Sequence, residues 1–136
     1  MLVSPVVLDT NILLDLWVFQ DPRGQALLQS LQMGQQQWIA TVPMREELQC
    51  VLQYSHIAQR LQQQGSHAES VLAHFDALSF TQPVAPKAPI TCKDPDDQKF
   101  IDLAVQHKAP IWSKDKAVRC MTKRLLAQGV IFCAWP

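Results

Sequence analysis

Four short apolar runs punctuate this chain: "SPVVLD" (4–9), "QWIATV" (37–42), "APIWS" (109–113) and "GVIFCAW" (129–135). Each is continuous. A strand with one wet face alternates apolar and polar residues, whereas a strand covered on both faces has no reason to. Strands of the second kind belong to parallel sheets, whose neighbours are reached by crossing over a face of the sheet. The intervening stretches have helical spacing. "NILLDLWVF" follows the first run, and residues 23–33 carry Ala26, Leu27, Leu28 and Leu31. "PMREELQCVLQY" opens with Pro43, and residues 57–78 read as one or two helices broken near Gly65. "PDDQKFIDLAVQHK" and "KAVRCMTKRLLAQ" complete the set. Strand alternating with helix predicts an α/β fold, a three-layer α/β/α sandwich around a central parallel sheet of Rossmann-like kind. The Pro-rich "TQPVAPKAPIT" (81–91) reads as a loop or irregular edge, with too little chain after it to begin a second domain. Residues 1–136 are therefore read as a single domain.

Several function classes drop out on the same evidence. No apolar run approaches the roughly 20 residues needed to cross a bilayer. "MLVSPVVLD" lacks the basic start and long apolar stretch of a signal peptide, so a cytoplasmic protein without membrane association is expected. Cys50, Cys92, Cys120 and Cys133 form no C-x-x-C pair and are expected to be buried reduced thiols. Twelve basic and twelve acidic residues balance, yet eight of the basic ones fall between Lys93 and Arg124.

The acidic residues are more informative. "CKDPDDQKF" (92–100) is a good helix start: Asp94 as N-cap, Pro95 at the first helical position, Asp96 and Asp97 in the first turn. Asp97 also shares a helical face with Phe100, Ile101 and Ala104 and so points inward, while Asp96 lines up with Lys99 and faces water. The same periodicity turns Glu47 inward, between Met44 and Val51, and groups Glu46 with Gln49 and Gln53. Asp9 ends the first strand and Asp115 follows the third, each also a possible cap for the helix after it. Ligands of open α/β sheets bind beyond the carboxyl ends of the strands. Asp9, Glu47, Asp97 and Asp115 thus converge on one end of the sheet, with Asp94 close behind, and Asp94 and Asp96 are read as chiefly structural. Such a set needs a compensating cation, and all-oxygen ligands suit Mg²⁺ or Mn²⁺. The chemistry served is activation of water and stabilisation of charge on a phosphoryl oxygen.

These motifs resemble those of the PIN-domain family, and more narrowly the toxin components of bacterial toxin–antitoxin systems within it. "VVLDTNILL" (6–14) is similar to the family's opening motif, "REELQCVL" (45–52) to its Glu-Leu helix, and "KDPDDQKFIDLAVQHKAPIWSKDKAV" (93–118) to its long third motif. The resemblance implies a PIN-like sandwich and metal-dependent cleavage of RNA. Carried over by position, it makes Asp9, Glu47, Asp97 and Asp115 the catalytic and metal-binding set. Asn11 becomes a polar neighbour that orients Asp9 or a water, and Ser113 stands in for the hydroxyl of a Thr-Gly-Asp segment. Lys114 replaces the glycine of that segment, a departure that bears on the loop carrying Asp115.

Three readings follow. The first is an Mg²⁺- or Mn²⁺-dependent endoribonuclease, the toxin of a toxin–antitoxin pair, with an antitoxin protein as partner and a homodimer expected from the family. Lys114, Lys116, Arg119 and Lys123 would then hold RNA phosphates, although the same residues suit an ordinary solvated helix face. The second is a non-catalytic interaction module on the PIN fold. The third is a phosphatase using Asp9 as nucleophile, disfavoured because Asn11 stands where a second acid is usual. Trp17, Val18 and Phe19 are read as core before interface.

Overall fold

The apolar runs become the strands of one sheet in the computed structural model, which describes residues 3–136. They are β1 (Pro5–Leu8), β2 (Gln37–Ala40), β3 (Ser79–Thr81), β4 (Ile111–Trp112) and β5 (Phe132–Cys133). Their order is β3-β2-β1-β4-β5, and all four pairings are parallel. Eight helices fill the crossovers: α1 (Thr10–Trp17), α2 (Gln25–Gln32), α3 (Val42–Val51), α4 (Ser55–Gln63), α5 (Ala68–Leu78), α6 (Gln98–His107), α7 (Lys116–Arg119) and α8 (Thr122–Ala127). Val6, Val7 and Leu8 point alternately to opposite faces of the sheet, yet all three are buried, so both faces are covered by helices. This is the α/β/α sandwich expected from the continuous runs. Among the described residues, no helix is long and apolar enough to cross a membrane.

The strand order determines where a site can form. From β1 the chain works outward through β2 and β3, then returns to the other side of β1 as β4 and β5. The reversal leaves a crevice between β1 and β4 at their carboxyl ends, the topological switch point of a doubly wound sheet. Asp9 follows directly on β1, and Ser113 directly on β4.

Three local features depart from the sequence reading. β3 was not expected, since Ser79–Thr81 is a three-residue edge strand with Phe80 more than half exposed, too short and too wet to register as an apolar run. The stretch "KAVRCMTKRLLAQ" is two helices, because the Met121 N–H bonds back only three residues, to the Val118 carbonyl. That tightening keeps Val118, Met121 and Leu125 all fully buried. Cys50 and Cys120 are exposed rather than buried, each on a helix face turned away from the core. The break near Gly65 is where expected: Gly65, at φ +67°, follows the last turn of α4 in the left-handed conformation that glycine adopts most cheaply.

Trp17 and Val18 belong to the core, with Trp17 stacked between Trp38 and His74 at centroid distances of 5.7 and 5.5 Å. Phe19, just beyond, is 37% exposed. Asp15, one turn earlier on α1, is only 4% exposed and accepts from the Trp135 indole N–H at 2.8 Å. The Lys114 ammonium lies 2.8 Å from the same carboxylate oxygen. Lys114 is therefore committed to tying the loop after β4 to α1, which accounts for a long side chain where the resembled motif has glycine.

Replacing Asp15 by Ala leaves the Trp135 indole N–H without its acceptor, while the exposed Lys114 ammonium returns to water. Leaving a buried donor unsatisfied costs about 1–3 kcal/mol, so Asp15→Ala should destabilise the fold by about 2 kcal/mol and lower Tm by several degrees. Asp15→Asn, which still offers the indole an acceptor, should lose roughly half as much. Urea titration of the three proteins tests this, and equal midpoints for Asp15→Ala and the parent would refute it.

Candidate active site

Five carboxylates gather at the switch point, held in different ways. Asp9 is 3% exposed and occupies the N-cap position of α1, but it makes no capping hydrogen bond. Its Oδ2 instead accepts from Ser113 Oγ at 2.6 Å. Ser113 Oγ in turn accepts from the Asp115 N–H at 3.0 Å. Burial pushes the Asp9 carboxyl upward, opposed by the Ser113 hydroxyl and the Thr10 N–H and reinforced by the charges of Glu47 and Asp115.

Asp94 caps the 3-10 turn Pro95–Asp97 by accepting from the Asp96 N–H at 3.0 Å. Asp115 caps α7 through Ala117 N–H at 2.9 Å. Each cap engages Oδ1 and fixes the direction of its carboxylate. One ligand atom of Asp94, one of Asp97 and one of Asp115 lie within 4.8 Å of one another. Asp97 is only 6% exposed, and its Oδ2 has no hydrogen-bond partner. Its pKa is pushed up to about 8, first by loss of solvent, then by the hydrogen bond that only the protonated acid can give to Asp115, then by the charges of Asp9, Asp115 and Asp94.

Glu47 is partly withdrawn from this cluster. Its Oε2 accepts from Thr10 Oγ1, and its Oε1 lies 2.6 Å from the Lys99 ammonium. The same ammonium donates to the Asp96 carbonyl at 2.6 Å. Helical periodicity places Lys99 beside Asp96, but its flexible stem carries the charge across to Glu47. Glu47 and Asp97 line a cleft of about 370 Å³ with Asp9, Asn11 and Tyr54; Asp96 stands exposed at its edge, and Glu46 is exposed outside it. A hollow of about 400 Å³ among α3, α4 and α5 lacks any such convergence of carboxylates.

Of the residues singled out from the sequence, Asp97 and Asp115 thus meet directly, Asp9 lies close enough to raise Asp97, and Glu47 faces the same cleft through its own partners. Asp94 joins the cluster although it also caps, so one carboxylate performs both roles. Its early position in the Asp-rich run was the available signal. Lys116, Arg119 and Lys123 are exposed on α7 and α8, just after Asp115. Lys99 and Tyr54 were not singled out as site residues. Lys99 acts on Glu47 from far along the chain, and Tyr54 sits in the short turn before α4.

The family model described as "PIN domain" matches residues 5–112 of the chain. It spans β1 through β4 and includes Asp9, Glu47, Asp94 and Asp97. A search of the curated proteins gives no match.

The electrostatics make a prediction for the metal-free protein. A carboxyl whose folded pKa is raised keeps a proton that the unfolded chain releases, so stability falls as pH rises between the two values. For Asp97 the window runs from about pH 4 to about pH 8, and Asp9 adds to it in the same sense. In chelator, Tm should therefore fall from pH 5 to pH 8, and Asp97→Asn should flatten the slope and melt higher than the parent at pH 8. A parent Tm that rises across that window, or a variant with the parent's slope, would contradict the assignment.

Proposed function

This chain belongs to the PIN-domain family, a fold of nucleases, and we propose that it is an Mg²⁺- or Mn²⁺-dependent endoribonuclease. The observation that carries this reading is the meeting of Asp94, Asp97 and Asp115 at the switch point, with the Asp97 Oδ2 buried and unpartnered. An oxygen-only donor set, crowded enough to hold a proton near neutrality, fits a small hard divalent cation. Asp94, Asp97 and Asp115 would hold it, with Asp9 beside them. The chemistry that a bound Mg²⁺ or Mn²⁺ supplies is acidification of water and neutralisation of charge on a phosphoryl oxygen.

The chain's own groups supply the rest. Ser113 fixes Asp9 through its hydroxyl and Asp115 through the backbone, so the ends of β1 and β4 keep one spacing. Lys99 neutralises Glu47, and its ammonium lies where an incoming phosphate would meet a cation. Lys116, Arg119 and Lys123 extend positive charge away from Asp115 along α7 and α8, a surface suited to the RNA backbone. Lys114, engaged by Asp15, is left out of that surface.

The cellular role proposed is that of a toxin held in check by a cognate antitoxin, on the strength of the motif resemblance. A phosphatase using Asp9 fits poorly, because that carboxylate is almost fully buried and spends one oxygen on Ser113. The non-catalytic module draws support from one observation, the ion pair that occupies Glu47.

Purified protein should cleave RNA with Mg²⁺ or Mn²⁺ and stop in EDTA, and equal cleavage in chelator would sink the proposal. Asp97→Asn should lower the rate about 100-fold or more, since loss even of groups that merely support ligands costs 10–100-fold. Asp96→Asn should stay close to the parent. Glu47→Gln and Glu46→Gln form a second pair. If Glu47→Gln cleaves as well as Glu46→Gln, Glu47 serves only to hold Lys99.

A further inference from the structure

Residues 82–94 run from the end of β3 to the 3-10 turn Pro95–Asp97 without helix or strand. A segment with no ladder of its own has its backbone placed by side chains, and this one ends on Asp94 of the acidic cluster. Lys87 knits it from within. Its ammonium donates to the Ala88 and Ile90 carbonyls at 2.7 and 3.1 Å and to Thr91 Oγ1 at 2.9 Å. Two side chains one turn apart on α6 then dock the segment. Gln98 Oε1 accepts from the Cys92 N–H at 2.7 Å, and Gln98 Nε2 donates to the Ile90 carbonyl at 3.1 Å and to Asp102 Oδ1 at 2.7 Å. Asp102 Oδ1 also accepts from the Ala88 N–H at 2.9 Å. Ala88 and Cys92, the two residues gripped through their N–H groups, are both buried.

We propose that Gln98, oriented by Asp102, is a positioning residue that fixes Asp94 relative to Asp97 and so sets how tightly the cluster holds a divalent cation. The inference rests on the metal-dependent reading above and deepens it by naming the groups that preorganise the ion's ligands. Gln98 follows Asp97 directly in the chain, while the amide it grips belongs to Cys92, two residues before Asp94. Between these points the turn is closed by Asp94 itself, through its cap on the Asp96 N–H. Both aspartates therefore sit within one clamped loop. Only one orientation of the Gln98 amide serves: reversed, its oxygen would face the Ile90 carbonyl and the Asp102 carboxylate. The ligand atoms of Asp94, Asp97 and Asp115 lie within 4.8 Å of one another and repel when ionised. Without the clamp the Asp94 segment would relax outward, and an arriving ion would have to order it again at a cost in affinity.

The test reads Mn²⁺ binding to the full chain by electron paramagnetic resonance, in which bound ion loses the sharp signal of free ion, with Tm in EDTA beside it. Gln98→Met keeps the length of the side chain and removes its hydrogen bonds. It should weaken Mn²⁺ binding about tenfold, the lower end of the loss usual when a ligand's supporting partner goes. Made on Asp94→Asn, which can still cap through its oxygen, the same change should weaken binding by less than about twofold more, because the residue it acts through is already altered. Asp102→Asn still presents an oxygen to Gln98 and Ala88 and should bind as the parent does, whereas Asp102→Ala should shift toward Gln98→Met. That second pair carries the test alone if Gln98→Met does not fold. A clamp that serves the fold alone would lower Tm in EDTA and leave Mn²⁺ affinity unchanged, which overturns the proposal and spares the nuclease reading. An equal loss on the parent and on Asp94→Asn overturns it too, since Gln98 then does not act through Asp94. If the parent takes up no Mn²⁺ at millimolar concentration, the metal-dependent reading fails and the proposal with it.

Discussion

The hydrogen bond from Ser113 to Asp9 is the contact on which the site depends. It joins the carboxyl ends of the two strands that flank the switch point, and both of its partners are essentially without solvent. A carboxylate in that position must find donors or give up its charge, and this hydroxyl is the side-chain donor that reaches it. The same oxygen accepts from the Asp115 backbone, so the position of Asp9 is relayed to the start of α7. The other carboxylates divide the remaining donors among themselves. Asp94 and Asp115 take the free N–H groups at the starts of helical turns, and Glu47 takes Thr10 and Lys99. Asp97 Oδ2 receives nothing. The deficit is therefore concentrated on one residue, at the point where three carboxylates meet.

Much of this was legible in the sequence because burial on both sheet faces leaves a recognisable mark. Continuous apolar runs marked four strands, and their alternation with helical stretches marked a parallel sheet between helix layers. Helical periodicity separated Glu47 from Glu46 and Asp97 from Asp96, since only one face of each helix meets the rest of the protein. β3 escaped because an edge strand of three residues needs no apolar run, and the basic helix was read as continuous because a one-residue tightening leaves the spacing of its buried positions intact. Asp94 was legible as a cap, and the cap is real. What periodicity does not reveal is that capping uses one carboxylate oxygen and leaves the other free.

The pairs that cross the chain were the hardest to foresee. Lys114 looked like a member of a phosphate-binding stripe by its neighbours in sequence, yet the stable place for its ammonium is the buried Asp15, which already accepts from Trp135. Lys99 sorted with the wet face of α6 by the position of its Cα, yet its charge is paired with Glu47, a residue of the cleft wall. Long cationic side chains decouple the location of the charge from the location of the backbone, so spacing arguments that succeed for Asp and Leu fail for Lys.

That decoupling also bears on how one small fold tolerates so acidic a centre. The chain carries no net charge, but it is far from uniform: acids converge at the switch point, and eight of the twelve basic residues fall between Lys93 and Arg124. Lys99 is the only cation ion-paired to a carboxylate of this group among the described residues, and it compensates Glu47 rather than the Asp94, Asp97 and Asp115 cluster. The two kinds of carboxylate are therefore differently prepared. Glu47 has a resident countercharge and would have to exchange it to take part in anything else. The three aspartates have none, so a cation arriving there displaces nothing but a proton, and the gain in stability on its arrival is correspondingly direct. A fold that left the cluster fully compensated would be more stable and would have no reason to attract an ion. The uncompensated charge is thus a local cost to stability that the core of the sandwich offsets, and on the nuclease reading proposed above it is what an arriving ion would answer.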